Sequence, residues 1–138
     1  RMVNVKIKLR KEEDFDRFLS LHNFEVGELG NGVYRVARED ELPVYVSINE
    51  SNLYFEVDLV NVSSFADAEF YFKILDLNTE IQPVSFGINN TNTNDPRLVL
   101  VESREGGDLN DDELLSVFDA LELAVDRAEE LLTAKMKD

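Results

Sequence analysis

The chain has 138 residues, 43% of them hydrophobic, so it is long enough and apolar enough to form one domain with its own core. Its 29 acidic residues against 14 basic ones give a formal net charge of -15, which argues against binding to nucleic-acid phosphates or anionic lipid. Cysteine is absent, which excludes disulfides and thiol chemistry, and without a long apolar run we expect a cytoplasmic protein with no membrane insertion.

The pattern at the start of the chain predicts an extra strand followed by a helix. Residues 3–9, VNVKIKL, alternate apolar and polar side chains, which is the period of a strand. Helical spacing follows in residues 11–23, where Asn23 suits the end of a helix. The apolar side of this predicted helix carries Phe15, Phe18, Leu19 and His22.

Strands are predicted next. The segment FEVGELGNGVYRVAR is typical of a hairpin that turns at Gly30, Asn31 and Gly32, because glycine and asparagine tolerate positive φ. PVYVSI and LYFEVDLVNV then alternate strictly, which predicts an antiparallel sheet with one solvated face. VSFGI and RLVLVES add two strands in the second half of the chain.

The sequence predicts a middle helix over residues 65–78. Ser64 is its predicted N-cap, and Asp67 three residues later gives a pattern close to a capping box. Its apolar residues fall on two arcs: one holds Phe65, Ala68, Tyr71, Phe72 and Leu75, and the other holds Ala66, Phe70, Ile74 and Leu77. A helix that rests on one sheet needs only one apolar arc. We therefore predict that the second arc, Ala66, Phe70, Ile74 and Leu77, faces another subunit or a partner. The alternative, that a terminal helix of the same chain covers this arc, stays open.

The last predicted helix begins at a capping box formed by Asn110 and Glu113. Its apolar stripe consists of Leu114, Val117, Phe118, Leu121, Val125, Ala128 and Leu132. An acidic steering face lies on another arc of the helix and consists of Asp119, Glu122, Asp126 and Glu130. We predict that this face accelerates the association of a basic partner at low salt. The alternative is an ordinary solvated surface.

Catalytic chemistry has little support in this sequence. His22 is the only histidine, and neither a nucleophile motif nor an orienting carboxylate can be assigned to it. The acidic run DLNDDE lacks the glycine of a calcium loop and fits the start of a helix better. We therefore expect no enzyme activity, no catalytic residues, no cofactor and no metal site.

Together these elements predict a single α+β domain over residues 1–138. It contains an antiparallel sheet of about five strands with helices packed on it. The predicted order is helix, three strands, helix, two strands and helix, with the extra strand at residues 3–9 before it.

Four features between residues 41 and 132 carry a family resemblance: the strand LPVYV, a helix after a Val-Ser pair, the segment PVSFGI and the closing acidic helix. With these features the chain resembles the YjfI-like family of small bacterial proteins. The order of its elements is similar to the type III secretion chaperone fold. That resemblance implies a non-enzymatic homodimer that binds polypeptides, with the middle helix often at the dimer interface. The YjfI-like resemblance implies an envelope-stress setting with a partner of the phage-shock-protein A type.

The leading interpretation is a non-catalytic adaptor or chaperone-like protein-binding module. One alternative is a small-molecule binder or an enzyme with a pocket between the sheet and the helices. A further alternative, an acidic regulator of a basic nucleic-acid-binding protein, depends on the net charge alone.

Overall fold

The computed structural model describes residues 12–105 and 109–137. The elements follow one another in the order α1 (Glu12–Leu21), β1 (Glu25–Gly30), β2 (Val33–Ala37), β3 (Val44–Asn49), β4 (Asn52–Asn61), α2 (Ala68–Asn78), β5 (Ser85–Asn89), β6 (Arg97–Glu105) and α3 (Asp111–Met136). The predicted α+β class is confirmed. The described residues form six strands, and four of them precede the middle helix where the predicted order had three, because the segment predicted as a hairpin supplies both β1 and β2. The strand predicted at residues 3–9 lies outside the described residues.

The six strands form one antiparallel sheet in the order β1-β2-β3-β4-β6-β5. The first four strands follow one another as neighbours, and β6 then pairs with β4, so that β5 lies at the edge. The turn between β1 and β2 has positive φ at Gly30 (92°), Asn31 (56°) and Gly32 (74°), as their residue types predict. Among the described strands, β1 is therefore the last on one side of the sheet and β5 the last on the other.

All three helices contribute buried residues to a core on one face of this sheet. Side chains alternate along the strands, so that Val46 and Phe55 are buried while Tyr54 and Glu56 lie on the opposite face. The ring of Phe118 in α3 contacts the ring of Phe55, with 5.7 Å between their centroids. The opposite face of the sheet keeps the polar residues that the alternation predicts.

The long helix α3 begins where its capping box predicts. The backbone N–H of Glu113 donates to Asn110 Oδ1 at 2.9 Å, and the N–H of Asn110 donates to Glu113 Oε1 at 3.4 Å. The helix has 26 residues, and most of its predicted apolar stripe is buried against the sheet. This local signal is confirmed.

The middle helix α2 begins three residues later than predicted, at Ala68. Its N-cap is Asp67, whose side chain accepts a hydrogen bond of 2.9 Å from the N–H of Phe70, so the predicted cap at Ser64 is wrong. The reason lies in the preceding residues, which form a turn of their own closed by Ala66 N–H on Val62 O at 3.1 Å. The chain then becomes extended at Asp67 before the helix starts.

Two ion pairs show that α2 and α3 run antiparallel beside each other. Lys135 Nζ near the end of α3 lies 2.7 Å from Asp67 Oδ2 at the start of α2. Arg127, about two turns earlier in α3, lies 3.0 Å from Glu80, just after α2. At the end of α2, Asn78 Oδ1 accepts a hydrogen bond of 2.6 Å from the backbone N–H of Phe86 in β5. The middle helix is thus held between α3 and the edge strand.

Candidate protein-binding surfaces

The two apolar arcs of α2 have the reverse of their predicted roles. Phe70 is only 1% exposed, and Ile74 and Leu77 are also buried in the core, while Ala66 is half-buried against it. The prediction that this arc faces another subunit is therefore wrong for its three large residues. The physical reason is the position of α2 between β5 and α3, which turns this arc toward the core of the same chain.

The arc that remains exposed consists of Ala68, Tyr71, Phe72 and Leu75, which we call the α2 stripe. Phe72 is 72% exposed and Leu75 is 67% exposed. At 3.6 residues per turn, these four positions lie within about 100° of helix surface, so they form one continuous apolar band. Large apolar residues in contiguous exposed positions are typical of an interaction surface.

A strand edge lies next to this stripe. Strand β5 is the outermost strand on its side among those the structure describes, and it has contacts with α2. Ile88, two residues after Phe86, is on the same face of the sheet as the helices and is exposed. The exposed apolar surface of α2 is thus accompanied by an apolar residue on the neighbouring edge strand.

The acidic steering face is divided by the tertiary structure. Arg38, after β2, binds both Asp119 and Glu122 in α3, with 2.9 Å between Arg38 Nη2 and Asp119 Oδ1. The same guanidinium lies over the ring of Phe24 at 4.8 Å from the centroid. Asp126 and Glu130 are exposed and form no ion pair with another residue in the described ranges. Half of the predicted face is therefore occupied by the chain itself.

The negative field of α3 extends to the connection between β2 and β3. Burial raises the pKa of the Glu41 carboxyl, and the charges of Glu122 and Asp126 raise it further. Arg38 opposes this effect and lowers the pKa. The local excess of carboxylates thus remains even where Arg38 neutralises part of it.

A further concavity, of about 660 Å³, lies on the solvated face of the sheet. Its lining includes Tyr45, Ser47, Tyr54, Glu56 and Ser103. The alternative prediction placed a small-molecule pocket between the sheet and the helices, but core side chains fill that space in the described parts of the chain. This concavity is on the opposite side.

His22 lies just after α1 and is exposed, with its ring centroid 4.5 Å from that of Phe18. Among residues 12–105 and 109–137, no group of His, Asp or Glu side chains is arranged to hold a metal ion. Within the same ranges, no helix is both long and apolar enough to cross a membrane.

Sequence reasoning missed two features of these surfaces. It did not pair Arg38 with α3, because the residues in contact are more than eighty positions apart. It also passed over Leu123, which is 68% exposed on the outer side of α3. A signal for Leu123 was available, since it lies four residues after Asp119 and three before Asp126, on the face opposite the buried stripe.

The fold has known relatives among solved structures, although no protein-family model and no curated protein sequence matches this chain. One relative is a chain of the heterodimeric ExoU-SpcU complex from the type III secretion system of Pseudomonas aeruginosa, with a TM-score of 0.67 and 20% identity over 84% of this chain and 95% of that chain. Another is YbjN from E. coli, with a TM-score of 0.63 and 12% identity over 94% of this chain and 90% of that chain. The type III secretion chaperone-like fold is thereby confirmed, whereas membership of the YjfI-like family stays a prediction.

Proposed function

We propose that this protein is a non-catalytic protein-binding module of the adaptor or chaperone type, and that it pairs with a second copy of itself through the α2 stripe. The observation that carries the proposal is the exposure of Phe72 and Leu75 on a helix whose other arc already fills the core. A monomer has no use for a second apolar arc, and a partner surface would remove it from water.

The α2 stripe offers enough apolar area for a helix-to-helix contact. Burial of one large apolar side chain contributes about 1.5–3 kcal/mol. A twofold interface buries the same stripe on both subunits, so each position contributes once from each subunit. Lys73 and Glu69, which pair with each other at 3.2 Å, border this band and leave its centre free of charge. These features fit a small symmetric interface with an apolar centre and a polar rim.

The proposed heterologous partner is a bacterial cytoplasmic protein of the phage-shock-protein A type, in an envelope-stress setting. Two observations support a protein partner in general. The fold is similar to that of a chain in the heterodimeric ExoU-SpcU complex, and the exposed apolar band has the character of a protein contact. The choice of this particular partner depends on the resemblance of residues 41–132 to the YjfI-like family.

The double variant Phe72→Ser/Leu75→Ser tests the proposal. We expect the unaltered protein to sediment as a dimer and the variant as a folded monomer with an unchanged far-UV circular dichroism spectrum. A matched control, Leu21→Ser/Leu29→Ser, changes two exposed leucines outside α2 and should leave the dimer intact. Capture of a purified phage-shock-protein A-type protein is measured on the same three proteins.

The proposal fails if the unaltered protein is a monomer at assay concentration and captures no such partner. It also fails if the double variant in α2 associates and captures its partner as well as the control does. Unfolding of the double variant would contradict the exposure of the stripe, on which the proposal depends.

A further inference from the structure

The outer side of α3 carries a small apolar depression beside an exposed leucine. The depression has a volume of about 350 Å³, and its apolar lining comes from Ile81, Ala120, Leu123 and Ala124. Leu123 is 68% exposed, although α3 already buries its apolar stripe on the opposite side. No part of the core requires a large apolar side chain at this position.

The charges around this depression are predominantly negative. Glu80 and Arg127 at its rim form an ion pair, with 3.0 Å between Arg127 Nη2 and Glu80 Oε1. Asp126 therefore supplies the remaining charge at the rim. Helical geometry places Glu130 one turn beyond Asp126 on the same side. Glu41 is close enough to Asp126 and Glu122 for their charges to raise its pKa, in addition to the larger effect of burial. An apolar spot is thus bordered by carboxylates that no described cation fully neutralises.

We propose that this surface binds a polypeptide segment of the partner in which an aliphatic residue is flanked by lysine or arginine. The aliphatic side chain enters the depression against Leu123 and Ala124, and the flanking cations lie over Asp126 and Glu130. The inference rests on the proposed protein-binding function and adds the chemistry of the segment that is bound. It also assigns binding to α3, a surface separate from the α2 stripe.

The combination of apolar and acidic groups selects this class of ligand. A purely basic segment would gain only surface ion pairs, which contribute little in water. A purely apolar segment would leave the carboxylates without a partner and would gain no electrostatic acceleration of binding. A segment with both features uses the depression for affinity and the carboxylates for orientation and association rate.

A short capped peptide, Arg-Lys-Leu-Lys-Arg, serves as the probe for the 138-residue chain. We expect its addition to shift backbone amide resonances of residues around Ala120, Leu123 and Ile81 in a nitrogen-15 correlation spectrum. The same peptide with serine in place of leucine should bind at least about fivefold more weakly, as loss of an interface anchor does. Shifts confined to other surfaces, or equal affinity for both peptides, would overturn the inference.

Two variants with matched controls complete the test. Leu123→Ala should lower the affinity for the leucine peptide about fivefold. Leu29→Ala, the same change at an exposed leucine in β1, should leave that affinity unchanged. Asp126→Asn/Glu130→Gln should weaken binding at low salt more than Glu25→Gln/Glu28→Gln, which removes two exposed acids from β1. Equal effects of either variant and its control would overturn the inference.

The results also separate this inference from the proposed function. Phe72→Ser/Leu75→Ser changes the α2 stripe and should leave peptide binding at α3 unchanged. If the α2 variant alone abolishes dimerisation and partner capture while the peptide shows no leucine dependence, the proposed function stands and the α3 site falls.

Discussion

Glu102 in β6 is the buried acidic side chain with the least favourable surroundings in the described part of the chain. Its side chain is 2% exposed, and its Oε1 atom has no hydrogen-bond partner. Its other oxygen accepts a bond of 3.3 Å from Arg104, which also binds Glu113 at the start of α3. Burial raises the pKa of the Glu102 carboxyl, and Arg104 offsets only part of that effect.

We therefore expect Glu102→Gln to gain stability relative to the unaltered protein as pH rises. Because the pKa of the Glu102 carboxyl is raised in the folded state, this group stabilises the fold at pH values below its ordinary pKa of 4.5. That contribution to stability is lost as the pH rises through the folded-state pKa. The difference in the free energy of unfolding between variant and parent should grow by about 1 kcal/mol from pH 4.5 to neutral pH, the scale of an incompletely compensated buried polar group.

Urea unfolding at the two pH values measures this difference. Glu105→Gln is the matched control, because Glu105 lies on the same strand and is exposed. An advantage of the Glu102 variant that stays constant with pH would show that its charge is not the destabilising feature.

At the scale of the element, α2 shows how two similar arcs of one helix can have different environments. Neighbouring phenylalanines illustrate the difference, since Phe70 is packed against Phe65 with 5.2 Å between ring centroids and Phe72 is largely in water. Helix formation alone does not select between them, because both arcs would suit a helix that rests on a sheet. The contacts with β5 and α3 select the arc of Phe70 as the core side.

Alanine substitutions at these two positions should differ strongly in their effect on folding. We expect Phe70→Ala to lower the free energy of unfolding by about 3–5 kcal/mol, because it leaves a cavity in a packed core. Phe72→Ala should change it by no more than about 0.5 kcal/mol in the monomer. Chemical unfolding at dilute protein concentration measures both values, and a larger loss for the Phe72 variant would mean that the two arcs have been assigned the wrong way round.

For the whole molecule, the dominant physical fact is a formal net charge of -15. Ion pairs such as that of Arg97 with Asp58 neutralise some acids locally, but 14 basic residues cannot match 29 acidic ones. The unmatched carboxylates repel one another more in the compact fold than in the unfolded chain. Dissolved salt screens the repulsion between exposed charges that lie farther apart than the Debye length, which falls from about 10 Å at 0.1 M salt to about 3 Å at 1 M.

Thermal stability at neutral pH should consequently rise with the concentration of sodium chloride. We expect a rise in Tm of about 4 °C between low and high salt, which corresponds to about 1 kcal/mol in a domain of this size. Scanning calorimetry measures the shift, and Asp126→Asn/Glu129→Gln/Glu130→Gln should show a smaller one because three exposed acids are removed. A fall in Tm with salt would show that favourable ion pairs outweigh the net repulsion.

Several features of the fold and of the candidate surfaces could be read from neighbouring residues alone. The capping box at Asn110 and Glu113 marks the start of α3, and its apolar spacing identifies the buried side. The turn at Gly30–Gly32 and the alternation in β4 likewise follow from backbone freedom and side-chain period. These signals succeed because their causes act within one or two turns of helix or one strand.

Other features depended on contacts between distant parts of the chain. The buried arc of α2 was decided by where β5 and α3 lie, and the acidic face lost Asp119 and Glu122 to Arg38 from another part of the chain. The depression beside Leu123 exists only because the connection after α2 passes close to α3. Periodicity within a segment determines that it has an apolar side, but when a segment has two, only the packing of the assembled layers determines which one is removed from water.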